Sequence, residues 1–161
     1  MAAKKKKVAR KAGKSARKPA ARKAAPKKRT SMTPVPVKTG RGPAPAEIGA
    51  ALVRMFNDGK LKEIEDMFWS PGVVSVEGLG MEMAWNGRKA VEGKNNWWME
   101  NHTIHSAAAK GPFVGASGFA VHFTMDVEDK TNGKRDTMTE VGVYTVKDGK
   151  IVREEFMYAT D

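Results

Sequence analysis

Few side chains in this sequence can do chemistry near neutral pH. There is no cysteine, which removes disulfides, thiolate metal sites and a thiol nucleophile. The histidines are His102, His105 and His122. Two carboxylates are candidates if they face an interior: Glu140, within the β-branched and aromatic run from Thr137 to Val146, and Glu154, between Arg153 and Glu155 in the run from Ile151 to Tyr158. Periodicity alone does not say which face Glu140 takes, because both faces of its run are semi-apolar. A carboxylate in an apolar cavity resists ionisation, so its pKa rises toward the range useful for general acid–base work. Two such groups close together push their pKa values apart. A histidine beside them, for which His105 is the candidate, would orient either carboxylate or accept its proton. The competing reading is a buried polar cluster that only fixes packing. His102 lies on the opposite strand face from His105 or in the preceding loop, so the two make a poor metal pair. No metal and no cofactor is expected.

The elements that must carry these groups are strands. Phe119, Val121, Phe123, Met125 and Val127 alternate with Ala120, His122, Thr124, Asp126 and Glu128, the period of a half-buried strand. His122 then faces outward. Asn132-Gly133 and Asp148-Gly149 supply turns into two further strands. Thr103 to Ala109 reads as the first long strand, with a bend or bulge at Gly111-Pro112. Upstream, Ala46 to Asn57 is an amphipathic helix whose first turn suits Pro45, with Ile48, Leu52, Met55 and Phe56 on one side. Lys60 to Trp69 is a second helix with Leu61, Ile64, Met67 and Phe68 at core spacing, stopped by Ser70-Pro71-Gly72. Val73 to Glu77 and Met81 to Trp85 are short strands. Arg88 to Asn101 is a third helix bearing Val91, Trp97 and Trp98.

The charge is divided. Residues 1–43 hold 16 Lys and Arg and no acid, whereas residues 44–161 hold 13 against 18 Asp and Glu. The formal net of +11 thus joins a basic tail to an acidic domain. Met1 to Thr30 is mostly Ala, Lys, Arg and Pro. It cannot bury enough apolar area to offset its conformational entropy, so disorder is expected. Its basic residues are Lys4, Lys5, Lys6, Lys7, Arg10, Lys11, Arg17, Lys18, Arg22, Lys23, Lys27, Lys28 and Arg29, together with Lys14. Such runs bind nucleic acid or polyphosphate by counterion release, without sequence readout, and no aromatic residue is present in the tail for base stacking. The alternative is a solvated solubility tail. Residues up to 43 end in a Pro/Gly-punctuated linker. No apolar run approaches a membrane span and no secretory signal is legible. A cytoplasmic protein is expected, nucleoid-associated if the tail binds nucleic acid.

The order helix, helix, short strands, helix, long strands carries a resemblance. Asn57-Asp58-Gly59-Lys60, Val73 to Glu77, Asn86-Gly87-Arg88-Lys89-Ala90-Val91, and Val143 to Ile151 resemble the nuclear-transport-factor-2-like superfamily, on its SnoaL-like and ketosteroid-isomerase-like side. The Lys/Ala/Pro tail resembles, in composition, the tails of linker histones and bacterial histone-like proteins. The domain resemblance implies an α+β fold, a cone-shaped curved antiparallel sheet packed on three helices around a pocket. It implies that Met138, Glu140, Gly142, Tyr144, Glu154, Phe156, Tyr158, His105 and Ala107 point inward, with Glu140 and Glu154 as diagonal neighbours. Thr139, Val141, Val143, Ile151 and Met157 then face outward, where such proteins usually form homodimers. The implied lining is Trp97, Trp98, Phe123, Met125, Met138, Phe156 and Tyr158, suited to a small apolar molecule.

Specific relatives narrow the chemistry. The oxyanion-hole tyrosine, general base and oxyanion-hole aspartic acid of ketosteroid isomerases would fall on Leu52, Gly78 and Gly142, none of which can serve. Glu77, next to the base position, is expected on the other face. Limonene-epoxide-hydrolase-like chemistry would need acids and an arginine at Phe123, Met125 and Phe156. SnoaL-type cyclisation asks for one well-placed acid or base. Two readings stand: an acid–base enzyme of SnoaL type using Glu140 or Glu154 with His105, or a dimeric, non-catalytic module whose basic tail binds a polyanion.

Overall fold

The computed structural model describes residues 40–78 and 83–158. The basic residues 4–29 of the tail, and the start of the expected strand at Met81, lie outside them. The elements are α1 (Pro45–Asn57), α2 (Leu61–Phe68), β1 (Trp69–Glu77), β2 (Met83–Asn86), α3 (Arg88–Asn101), β3 (His102–Val114), β4 (Gly118–Asp129), β5 (Arg135–Lys147) and β6 (Lys150–Tyr158). The strands form one curved, unclosed sheet in the order β2-β1-β6-β5-β4-β3. All neighbours are antiparallel except β1 and β6. This is the expected α+β cone.

Helix α1 lies on β3 and β4, and its apolar stripe of Ile48, Leu52 and Met55 is buried there. The Glu47 carboxylate accepts a hydrogen bond from the Ala44 amide at 2.7 Å and satisfies one of the open donors at the helix start. At the other end, the Asn57 amide group donates to the Ala109 carbonyl and accepts from its N–H, at 3.2 and 2.7 Å. This side chain replaces a missing strand neighbour at the β3 edge. Phe56 packs on Phe123 with ring centroids 4.7 Å apart.

Several faces differ from the sequence expectation, each for a local reason. Met67 is 53% exposed, because α2 turns Leu61, Ile64, Glu65 and Phe68 inward instead. Trp69 does not end α2; it opens β1, pairs with Ile151 and is buried, and the pairing breaks across Ser70-Pro71-Gly72 before resuming at Val74. Ile151 is fully buried in the core, not outward. The pairing of β5 with β6 shifts between Thr145–Arg153 and Val146–Ile151, which leaves Val152 as the extra residue of a bulge. One inserted residue exchanges the two faces of a strand. Glu154, Phe156 and Tyr158 therefore share a face with Ile151.

Candidate active site

The concave face is set by the β4–β5–β6 register. Phe123 sits opposite Glu140, Val121 opposite Gly142 and Phe119 opposite Tyr144. On the far side of β5, Glu140 faces Tyr158, Gly142 faces Phe156 and Tyr144 faces Glu154. Gly142 leaves room for its neighbours: a Cβ there would meet the Tyr144 hydroxyl at 2.9 Å and the Phe123 ring at 3.0 Å. Tyr144 stacks on Phe119 at 4.9 Å and meets Phe156 edge-on at 6.2 Å.

This register corrects the expected carboxylate pair. Glu140 and Glu154 are not diagonal neighbours, because Tyr144, the partner of Glu154, lies four positions along β5 from Glu140. At ~3.3 Å per residue this is roughly 13 Å along the strand. What fills the interval is a group of residues that sequence reasoning missed or misplaced. Ser75 pairs with Glu154 across the parallel β1–β6 contact. Glu77, two residues on, shares the face of Ser75; it points into the site and not away from it. The Tyr158 hydroxyl donates to Glu77 Oε2 at 2.5 Å. Lys94 of α3 donates to the other oxygen, Glu77 Oε1, and to the Ser75 hydroxyl at 2.9 Å. Its Nζ lies 3.8 Å from Glu154 Oε1, 4.9 Å from the Phe156 ring centroid and 5.7 Å from that of Trp85. The legible signal for Lys94 was its spacing: it falls three residues after Val91 and four before Trp98 on one side of α3.

Burial acts on each acid. Glu140 is pushed up to about 7, first by desolvation and then by the nearby Glu77 charge, with Lys94 opposing. Among the described residues its carboxyl has no hydrogen-bond partner. Glu154, 1% exposed, is also pushed up to about 7 by desolvation, with Lys94 and a Ser75 hydrogen bond opposing; its Oε1 is buried without a hydrogen-bond partner. Desolvation and the bond to Glu77 raise the Tyr158 phenol, and desolvation raises that of Tyr144.

The other candidates divide. Phe123 and Met125 are buried on the concave side, and Met138, Phe156 and Tyr158 are half-buried there. Trp98 is half-buried and stacks on His102 at 4.6 Å. Trp97 is 60% exposed and lines no interior. His105 is not in the site. The β3–β4 register shifts between Ile104 and Ser106, so His105 is a bulge residue, and its Nε2 meets Glu128 Oε2 at 2.8 Å on the outer face. Strict alternation back from Ala107 would have turned it inward; the extra residue does the opposite. His122 lies on that outer face with Thr139, Val141 and Met157.

A sequence model of the SnoaL-like domain matches residues 44–158. The chain belongs to the SnoaL-like family. Among solved structures it is similar to a protein from Mesorhizobium loti provisionally named a SnoaL-like polyketide cyclase. The identity is 37%, over 70% of this chain and 97% of that one, with a TM-score of 0.67. A protein of the same provisional name from Jannaschia shares the fold at 14% identity, covering 75% and 91% of the two chains, with a TM-score of 0.59. A provisionally named isomerase from Bacillus subtilis does so at 16% identity, covering 71% and 86%, with a TM-score of 0.54. No protein of curated function matches the chain. Among the described residues, the SnoaL-like domain carries the acids of the site on β1, β5 and β6 and the cation that pairs with Glu77 and Glu154 on α3. Among the described residues no helix is long and apolar enough to cross a membrane.

Proposed function

We propose that the concave face binds a small, mostly apolar molecule and that Glu140 moves a proton on it, as an isomerase or cyclase does. The observation that carries this reading is Glu140 itself: a carboxyl beside Phe123 and Tyr158, without a hydrogen-bond partner among the described residues and raised to about 7. A group poised there is populated both as acid and as base near neutral pH. Glu154 is sealed behind Lys94 and touches no ligand directly; its part is electrostatic. The provisional polyketide-cyclase name of the 37%-identical Mesorhizobium loti protein supports a cyclase-like reading. The test begins with native mass spectrometry of the purified chain, to identify what the site retains. Deuterium exchange into that molecule is then followed in heavy water. Exchange by the natural chain, with Glu140→Gln binding but not exchanging, supports the reading. Equal exchange by both, or no retained molecule, counts against it.

Two further proposals concern partners. Residues 1–43, with 16 basic groups and no acid, are suited to bind nucleic acid or polyphosphate. The outer sheet face, where Val141 and the 51%-exposed Met157 lie together, is suited to homodimer contact. A second subunit would bring a second tail and raise its effective concentration on a polyanion.

A further inference from the structure

The acids of the site outnumber its cations. Glu77, Glu140 and Glu154 share one concave face, and among the described residues Lys94 is the one cation that pairs with any of them. Its placement is specific. Lys94 reaches from α3 to β1, and both oxygens of Glu77 are taken, one by Lys94 and one by Tyr158. The pair therefore sits in one orientation, between the Glu154 end of the cluster, 3.8 Å from Nζ, and the Tyr158 end, which is opposite Glu140.

We propose that the Lys94–Glu77 ion pair is the positioning device of this site, fixed by Tyr158, and that it holds two opposing charges beside Glu140, so that losing either one alone shifts how readily Glu140 holds a proton. The proposal rests on the reading of Glu140 as the acid–base group. A buried ion pair seldom stabilises a fold more than apolar residues of the same volume would, so stability alone gives the site little reason to carry one. Its two charges act on Glu140 in opposite directions: the Glu77 carboxylate favours protonation and the Lys94 ammonium disfavours it. The remaining groups facing Glu140 are Tyr158 and Glu154 of β6 and Tyr144 of β5. Those facing Glu154 are Ser75 and Glu77 of β1, Lys94 of α3, Tyr144 of β5 and Glu65 of α2.

The test is a titration of the glutamate carboxyl carbons by NMR on the full chain, labelled with carbon-13. Glu77→Gln removes the charge that favours protonation, so the Glu140 midpoint should fall by about one pH unit. Lys94→Met removes the opposing charge, and the midpoint should rise by a similar amount. In the double variant the two changes should largely cancel. A purely structural pair would move stability without opposite changes that cancel. If Lys94→Met fails to fold, Lys94→Arg takes its place: it keeps the charge and should leave the midpoint unmoved while Glu77→Gln lowers it. Single-variant midpoints that move in the same direction, an unmoved midpoint in Glu77→Gln, or an Arg variant that moves as far as Glu77→Gln would overturn the proposal. The proton-exchange assay on Glu140→Gln is independent of these titrations, so failure of the catalytic reading and failure of the positioning device remain separate results.

Discussion

At Glu154, burial and charge pull in opposite directions. The folded chain holds its carboxyl up at about 7 against an ordinary value of 4.5, so folding takes up a proton between those pH values. The contribution of this group to stability is greatest below about 4.5 and is lost as pH rises through about 7. A tenfold change in proton affinity corresponds to about 1.4 kcal/mol, so the loss is at most about 3 kcal/mol. Glu154→Gln should remove that slope. Urea unfolding at pH 5 and pH 8 checks this: the variant should gain on the natural chain at the higher pH, and an unchanged difference would count against the burial argument. Gly142 makes a second residue-scale prediction. An alanine there would press on Tyr144 and Phe123 within 3.0 Å, and Gly142→Ala should destabilise by about 1–3 kcal/mol in the same assay.

Elements decide which of these residues meet. Asn57 ties the end of α1 to the β3 edge through two hydrogen bonds at Ala109. Asn57→Ala should cost about 1–3 kcal/mol, because it leaves a strand N–H and C=O without partners. Amide hydrogen exchange should locate the loss at Ala109, and unchanged protection there would contradict the tie. The elements themselves were largely legible in the sequence. The alternation of Phe119 to Val127 and the turns at Asn132-Gly133 and Asp148-Gly149 gave β4, β5 and β6, and the inward side of Phe123 and Met125 followed from their period. What could not be read were single-residue bulges, since period-two reasoning assumes an unbroken ladder. His105 and Val152 each break it, and that moved His105 out of the site and Ile151 into the core. Register across strands was equally hidden. It separates Glu140 from Glu154 and brings Glu77, Tyr158 and Lys94 together, a meeting that no spacing along the chain encodes. Only Lys94 left a trace, in its position between Val91 and Trp98 on α3.

The whole molecule joins an acidic SnoaL-like domain to a segment of opposite charge. Removing residues 1–40 should leave the unfolding midpoint of the domain unchanged and abolish retention on a nucleic-acid or polyphosphate column, a retention that should weaken steeply with salt in the full chain. Retention that survives the truncation would place polyanion binding on the domain. The family fold, a curved sheet closed by helices, accommodates unrelated functions, so the case for chemistry rests on one group in its setting. The most direct measurement is the carboxyl titration of Glu140 in the unaltered full-length chain, followed by carbon-13 NMR and assigned by comparison with Glu140→Gln. A midpoint near 7, where burial and Glu77 hold it, is the expected result. A midpoint at the ordinary 4.5 would show a solvated carboxylate and contradict the acid–base site.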